Sequence, residues 1–365
     1  MKKTICLAFI ASLALSAKAQ SQDSLKLKIL NENEQSGYIP VFQYWKEHNI
    51  FQHLDVSLTA GTTGIGLDVA SPVGNYVQVR AGYEIMPHFN KTLQFNLTVG
   101  GEPARKYDKD GNRVPTIFDT MKEFLYQFTG YDVEDHVDMV GTPTMNNFKF
   151  LVDVFPLKNN KHWHLTAGFY WGPSQFANAE NSTESMVSLL SVGIYNSMYD
   201  KAVNNQPLID LSAIDDKYSG LTLGGDEIDI IYDKFKKFGR LGFPLGTFKR
   251  DVVDNKGVLH HVGEKYYMEP GDDGMVRVKA KSNAFKPYLG FGYGGRLVKN
   301  RDDWKVSFDC GAMFWGGTPD LYTHEGINLT KDVENIGGQV GDYVDIFKAF
   351  KVYPVLTFRL TKTIF

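Results

Sequence analysis

The chain lacks long hydrophobic segments and has almost no cysteine. Beyond the N-terminus, none of its 365 residues belongs to a run of about 18 apolar residues, which excludes a helical membrane protein in the mature chain. Only Cys6 and Cys310 are present. Charged residues make up 22%, against 43% hydrophobic and 13% aromatic, which excludes a disordered protein. A membrane-spanning role would have to use strands, whose hydrophobicity only alternates.

Residues 1–19 have the pattern of an export signal. Two lysines precede the apolar run Ile5–Leu15, and Ala17 and Ala19 place small residues before a cleavage site. We predict a signal peptide that is cleaved after Ala19, and therefore an exported protein. Removing its three lysines leaves 36 basic and 42 acidic residues, a formal net charge of -6. This charge argues against nucleic acid as a partner.

Cleavage leaves Cys310 as the only cysteine of the mature chain. No intramolecular disulfide can then form, although exported proteins meet an oxidising compartment. Cys6 lies inside the apolar run and not just after it, which does not fit a lipid anchor. Cys310 belongs to a strand pattern, where we expect a small apolar side chain without catalytic or metal-binding use.

Several segments alternate strictly between apolar and polar residues, which is the period of a strand. In Val77–Ile85, for example, the apolar positions are separated completely from Gln78, Arg80, Gly82 and Glu84. The same pattern occurs in Phe148–Phe155, His162–Trp171, Phe285–Gly294 and Trp304–Trp315. A soluble sandwich and a membrane barrel would both show it, because each has one apolar and one polar strand face.

Three features favour a barrel with lipid outside over a soluble periplasmic β-protein: aromatic strand ends, strands of about ten residues, and a glycine-rich polar face of mixed charge. We predict an all-β, transmembrane antiparallel up-and-down β-barrel in the bacterial outer membrane. Its outer surface would meet outer-membrane lipid and lipopolysaccharide. The predicted aromatic girdle comprises Trp163, Phe169, Trp171, Trp304 and Phe314.

Eight strands are predicted. Their positions are near 54–60, 64–71, 76–86, 147–156, 162–172, 285–298, 303–316 and 352–364. Thr92–Gly100 and Met275–Lys281 also alternate, which leaves ten or twelve strands open, but we expect these segments above the membrane. The predicted organisation is an N-terminal periplasmic segment (20–53) and a barrel (54–365) with long outer loops at about 87–147, 172–284 and 316–351. The remaining turns are short, as in membrane barrels.

The ordered blocks of this chain resemble the small outer-membrane β-barrel proteins of Gram-negative bacteria. The blocks are GTTGIGLDVASPVGNYVQVRAGY (61–83), FKFLVDVFPLKNNKHWHLTAGFYW (148–171), KPYLGFGYGG (286–295), WKVSFDCGAMFWGGTP (304–319) and VYPVLTFRLTKTIF (352–365). The resemblance implies insertion by the outer-membrane assembly machinery, which reads the last strand and its terminal aromatic. The corresponding residues here are Phe358, Leu360, Ile364 and Phe365. Phe365 is out of phase with the other three, and a bulge near Lys362 would restore the phase.

The long loops carry helical patterns and small polar clusters. Helices are predicted at Pro115–Phe128, Thr183–Val203, Glu227–Phe238 and Asn328–Phe350, of which the last is a candidate plug. The DKDGN segment (108–112) has its glycine too early for an EF-hand, and DNKG (254–257) and PGDDG (270–274) read as turns. Clusters at Glu134–His136 with Asp138, and at His260–His261, are expected to be solvated loop charge. No cofactor, metal or catalytic group is predicted.

An eight-stranded barrel is just wide enough to be filled by side chains. The polar faces therefore predict a closed interior network of Gln78, Arg80, Glu84, Lys149, Asp153, His164, Lys286, Lys305 and Asp309. With no channel, we expect a structural or surface-binding protein that acts through its extracellular loops on an unidentified surface ligand. The alternatives are a small porin-like channel, if strands are more numerous, and a lipid-modifying or proteolytic barrel enzyme.

Overall fold

A computed structural model of the protein describes residues 26–28, 38–157, 160–208 and 226–364. The predicted signal peptide and the terminal Phe365 lie outside these described residues, as do residues 20–25 and 29–37 of the predicted N-terminal segment. Within that segment, Lys26–Lys28 pairs with Tyr38–Pro40, and helix α1 covers Val41–Glu47.

Eight antiparallel strands form a closed barrel. They are β1 (Asp55–Gly61), β2 (Gly64–Pro72), β3 (Val77–Ile85), β4 (Asn146–Val154), β5 (Trp163–Trp171), β6 (Phe285–Val298), β7 (Arg301–Phe314) and β8 (Val352–Thr363). Each strand pairs with its neighbours along the chain, and β8 closes on β1. The predicted fold class and the count of eight barrel strands are confirmed.

The barrel turns its apolar side chains outward. In β4, Phe148 and Phe150 are exposed, whereas Lys149 and Asp153 are fully buried. Because side chains alternate along each strand, the other strands of the wall also have exposed apolar and buried polar side chains. The exposed outer face includes Val56, Leu58, Ile65, Leu67, Tyr83, Ile85, Leu165, Leu289, Phe291, Phe308, Leu356 and Phe358. A continuous apolar band of this kind is far larger than the patches that soluble monomers expose.

Glycines on the inner face make room for charged side chains. A Cβ added at Gly292 would lie 2.2 Å from Asp309 Oδ1 and 2.3 Å from His164 Nε2. At Gly82 an added Cβ would lie 2.1 Å from Asp68 Oδ1. These strand glycines are therefore required by the polar contents of the lumen.

The two ends of the barrel differ. At the end where the chain enters β1 and leaves β8, the connections are short, at 73–76, 155–162 and 299–300. At the opposite end only the β1–β2 turn, residues 62–63, is short, and the other connections are 86–145, 172–284 and 315–351. We call the folded part of these three long connections the cap.

The cap begins as an upward continuation of the barrel wall. A five-stranded sheet follows the order Lys91–Asn96, His136–Pro143, Gln175–Asn181, Arg277–Lys281 and Asp320–Thr323. These strands continue β3 to β7 and keep their neighbour order. The alternating segments beginning at Thr92 and Met275 thus lie outside the barrel, as expected. In the described part of the chain, no strand of this sheet continues β8, β1 or β2, so the wall is open above the β1–β2 turn.

In the described residues, the rest of the cap comprises a second sheet, two short hairpins and four helices. The sheet comprises Lys265–Met268, Leu241–Phe248, Thr98–Val99 and Glu102–Pro103, with Val333–Glu334 added to Leu241–Phe248. Short hairpins pair Lys106–Tyr107 with Arg113–Val114 and Val252–Val253 with Leu259–His260. The helices are α2 (Ile117–Thr129), α3 (Ser185–Val203), α4 (Asp226–Phe238) and α5 (Gly338–Ala349). None of the described helices is long and apolar enough to cross a membrane.

The cap has its own apolar core. The Phe235 ring on α4 lies 5.2 Å from the rings of Phe124 on α2 and Tyr195 on α3. The first three predicted loop helices are present. The fourth, predicted from Asn328, is wrong over residues 328–337, because Val333–Glu334 pairs as a strand and Gly338 has a φ of 62°.

Helix α5 packs against the cap sheet. Its Tyr343 and Phe347 rings lie 5.8 Å from Phe95 and 6.3 Å from Phe176. Both partners belong to strands of the five-stranded sheet above the barrel. The described ring contacts of α5 are therefore with the sheet that continues the barrel wall into the cap.

Candidate functional site

Five ionisable side chains meet in the middle of the lumen. Arg80 on β3 donates to Asp153 Oδ1 (3.0 Å) and to Asp309 Oδ2 (3.3 Å). Arg359 on β8 reaches the same two carboxylates at 3.4 Å and 3.5 Å. His164 Nε2 lies 2.7 Å from Asp309 Oδ1. All five are buried, so this cluster ties five strands together across the barrel.

A second cluster lies nearer the cap. Lys149 Nζ is 2.5 Å from Glu84 Oε1 and 2.9 Å from Asp68 Oδ1. Arg80 joins the two clusters, since its Nη1 lies 3.7 Å from Asp68 Oδ2. These side chains are at most 2% exposed. Buried charges require such pairing because an isolated charge in a dry lumen would be strongly destabilising.

Large neutral side chains pack beside these charges and toward the cap end of the barrel. The Tyr170 and Tyr288 rings lie 5.4 Å apart, and Leu151, Met313 and Val355 are buried with them. At the same level, fully buried Lys286 donates to the side chain of Asn147 (3.3 Å) and to a backbone carbonyl. The cap end of the lumen is therefore packed.

The opposite end of the lumen is hollow. A cavity of about 1330 Å³, which we call the vestibule, opens toward the side of the termini and reaches inward to His164 and Arg359. Asp55 lies in its wall and accepts a hydrogen bond from Gln78 (3.0 Å). Lys305 is 3.6 Å from Asp55 and 42% exposed at the rim. The vestibule ends at the charged cluster, which separates it from the packed upper lumen.

The structure brings most of the predicted interior residues into one network. The central members are Arg80, Glu84, Lys149, Asp153, His164 and Asp309. Gln78 and Lys305 lie at the vestibule, and Lys286 at the cap end. Sequence reasoning missed Asp55, Asp68 and Arg359. Each occupies a polar position of an alternating strand, so assigning the polar faces of β1, β2 and β8 in the same way would have found them.

The predicted girdle residues lie at two levels. Trp163 and Trp304 are near the vestibule end of β5 and β7, where Tyr293 packs 4.9 Å from Trp163. Trp171 and Phe314 are near the cap end, 61% and 39% exposed, and Phe169 is half-buried beside them. Each of these side chains occupies an outward strand position.

The terminal strand keeps its phase. Phe358 is 51% and Ile364 is 54% exposed, and Leu360 lies between them on the same outward side. The β8–β1 ladder runs without a register shift through Lys362 and Thr363. A bulge near Lys362, which would restore the phase of Phe365, is therefore absent from the described part of the strand.

The polar clusters of the loops are paired within the cap, although Asp138 Oδ1 is buried without a hydrogen-bond partner. Arg105 donates to Asp135 (2.6 Å) and lies 2.9 Å from His136 Nδ1. Partial burial opposes ionisation of Asp135, but hydrogen bonds from Arg105 and His136 outweigh it and lower its pKa to about 2. His260 stacks on Phe248 at 4.8 Å. Among the described residues, no group of three or more histidine, cysteine or carboxylate side chains is arranged to hold a metal ion.

Comparisons with known proteins add little. No family model matches the chain, and no curated protein matches it. Two similar solved structures are Acinetobacter baumannii CarO2 and CarO, each 13% identical. The alignments cover 86% and 84% of this chain and 98% and 96% of those chains, with TM-scores of 0.34 and 0.33. Values this low carry no argument, so the interpretation rests on the geometry described above.

Proposed function

We propose that this is an exported outer-membrane barrel protein with a closed lumen, which acts as a structural or surface-binding protein through its cap. The observation that carries the proposal is the blocked lumen. A fully buried charge network and a packed upper layer occupy the lumen, and the long connections fold into a cap at one end. The predicted leader, with cleavage after Ala19, belongs to this proposal.

The outer surface supports the membrane location. The outward face of every strand is apolar over the height of the barrel, and aromatic residues lie near both ends, as membrane barrels require. This band would contact lipid and lipopolysaccharide. The outward residues of β8 would provide the signal for the assembly machinery. A soluble periplasmic barrel would leave this whole band in water, at a large hydrophobic cost.

A porin-like channel is the alternative, and the vestibule is the observation in its favour. However, the vestibule is blind, because His164, Arg359 and their carboxylate partners fill its inner end. The enzyme alternative gains no specific support, since the loop histidines near carboxylates are paired or stacked within the cap.

The test uses the refolded mature chain in a planar bilayer and on a gel run with and without boiling. We expect heat-modifiable mobility, which reports a folded barrel, together with no steady conductance. Steady single-channel currents from a heat-modifiable sample would contradict a closed lumen and establish the channel. A chain that neither shifts on the gel nor enters the bilayer would contradict the membrane location itself.

A further inference from the structure

A second cavity, of about 460 Å³, lies at the outer mouth of the barrel. It occupies the space between the cap end of β3, the beginning of β4 and the cap sheet. Its inner wall includes Met86, Met145 and Phe176, each at most 8% exposed, together with Ala177 and Tyr353. The volume is in the range of small-ligand pockets, and no charged side chain lines it among the described residues.

The aromatic side of this cavity is held in place by packing, and the two methionines of its inner wall are adaptable. The Trp315 ring stacks at 4.8 Å on Phe176 and lies 5.2 Å from Tyr353, while its indole N–H donates to the carbonyl of Phe350. Met86 and Met145 have flexible side chains that can fit irregular apolar shapes. The cavity can therefore accept an apolar group without rearranging its aromatic wall.

The exposed border of the cavity, which we take as its opening, lies above the β1–β2 turn, where the described cap sheet has no strand. Thr62 and Phe89 border it and are exposed, Phe89 to 58%. Directly below, Ile65 pairs with Ile85, and both point outward with 52% of their surface exposed. The apolar band of the barrel thus runs up to the opening.

The polar groups of Thr62 and Tyr353, which line the cavity at the opening, are hydrogen-bonded within the protein. The Thr62 N–H donates to the Leu356 carbonyl (3.0 Å), and its hydroxyl donates to the Pro354 carbonyl (3.0 Å). The Tyr353 hydroxyl donates to the Thr62 carbonyl (2.6 Å). These bonds hold the β1–β2 turn against β8 and leave mainly carbon facing the cavity. Such a lining offers little to a polar ligand.

We propose that this cavity binds one alkyl chain of an outer-leaflet lipid, which enters sideways above the β1–β2 turn. The inference rests on the proposed membrane location, because the opening borders the lipid-facing band and not the vestibule. Burial of a chain replaces water or an empty apolar space by hydrocarbon contacts, which is favourable. The bound lipid would then contact the cap as well as the barrel.

The test is photo-crosslinking in nanodiscs made with a phospholipid that carries a diazirine in its acyl chain. Mass spectrometry of the labelled peptides is expected to find adducts at Met86, Met145 or Phe176, in addition to the outward strand faces. Labelling confined to the outward faces overturns the proposal. Labelling of the cavity by a free diazirine fatty acid, but not by the phospholipid, overturns the lipid source and assigns the site to a soluble amphiphile.

Two pairs of variants sharpen the test. Ala177→Phe fills the cavity and should reduce its labelling several-fold, whereas Ala167→Phe, on the outward face of β5, should not. Phe89→Glu places a charge at the opening on an exposed side chain, with His88→Glu as its control. Equal cavity labelling within each pair overturns the proposal.

Each sample is also run on a gel with and without boiling. A chain that does not insert overturns the proposed function and the lipid site together. An inserted chain without cavity adducts overturns the lipid site alone.

Discussion

Replacing Arg80 with alanine is expected to lower the free energy of unfolding by about 3–5 kcal/mol, the usual cost of removing one partner of a buried ion pair. The guanidinium is 2% exposed and lies 3.0 Å from Asp153, 3.3 Å from Asp309 and 3.7 Å from Asp68. The variant leaves these three carboxylates buried with less opposite charge. Loss of the arginine stem also leaves a space in the lumen, which places the effect at the upper end of the range.

The assay is urea unfolding in lipid vesicles, followed by the unboiled mobility of the barrel on a gel. Arg301→Ala is the matched control, because Arg301 is 62% exposed at the short-turn end, and its change should stay within about 0.5 kcal/mol. Arg80→Met combined with Asp153→Asn should recover part of the loss, since one buried carboxylate fewer is left unpaired while Asp309 still pairs with Arg359. Wild-type unfolding of Arg80→Ala would refute the claim that the network stabilises the barrel.

Three further predictions follow from single positions. Leu67→Arg, on an outward position that is 61% exposed, should cost about 2–4 kcal/mol in vesicles; a negligible change, as expected on a soluble surface, would argue against lipid contact. Burial raises the pKa of Glu325 in the cap, so its negative charge destabilises the cap only at a pH above that pKa. The variant Glu325→Gln should therefore slow hydrogen exchange in the cap at pH 8 but not at pH 3. Equal effects of the variant at the two pH values would contradict this reasoning. Gly292→Ala should lower stability in the urea assay because its Cβ would meet Asp309, whereas Gly337→Ala, in open space, should match the wild type; similar midpoints would rule out the packing argument.

The barrel was predictable because its signal is local. Alternation in a segment such as Phe148–Phe155 determines which side chains share a face, and a one-residue slip would reverse every one of them. The placement of Arg80 and Asp153 on the polar strand faces follows from this period. The count of eight strands also required that the alternating segments beginning at Thr92 and Met275 lie above the membrane. The alternation does not show whether the apolar face points inward or outward. That became clear only from the closed barrel, in which the apolar side chains are exposed and the charged ones are buried.

The cap and the partners within the lumen were not predictable in the same way. Arg359 and Asp153 are 206 residues apart in the chain, and no local pattern reports that they meet. The short cap strands, such as Thr98–Val99, are set by packing against helices and other strands. For α5, the helical spacing of apolar residues extended too far because glycine conformation and strand pairing at 333–338 outweigh propensity.

The seam between β1 and β8 governs when this molecule can become a barrel. Ser57 and Thr361 hydrogen-bond across it although 304 residues separate them in the chain. Contacts this distant in sequence form late and slowly, because a long loop must first be closed. All three long connections lie between the two strands, so every cap segment has been synthesised before the ring can close. Closure of the seam is therefore the step at which folding of the wall is completed and the charges of the lumen become enclosed.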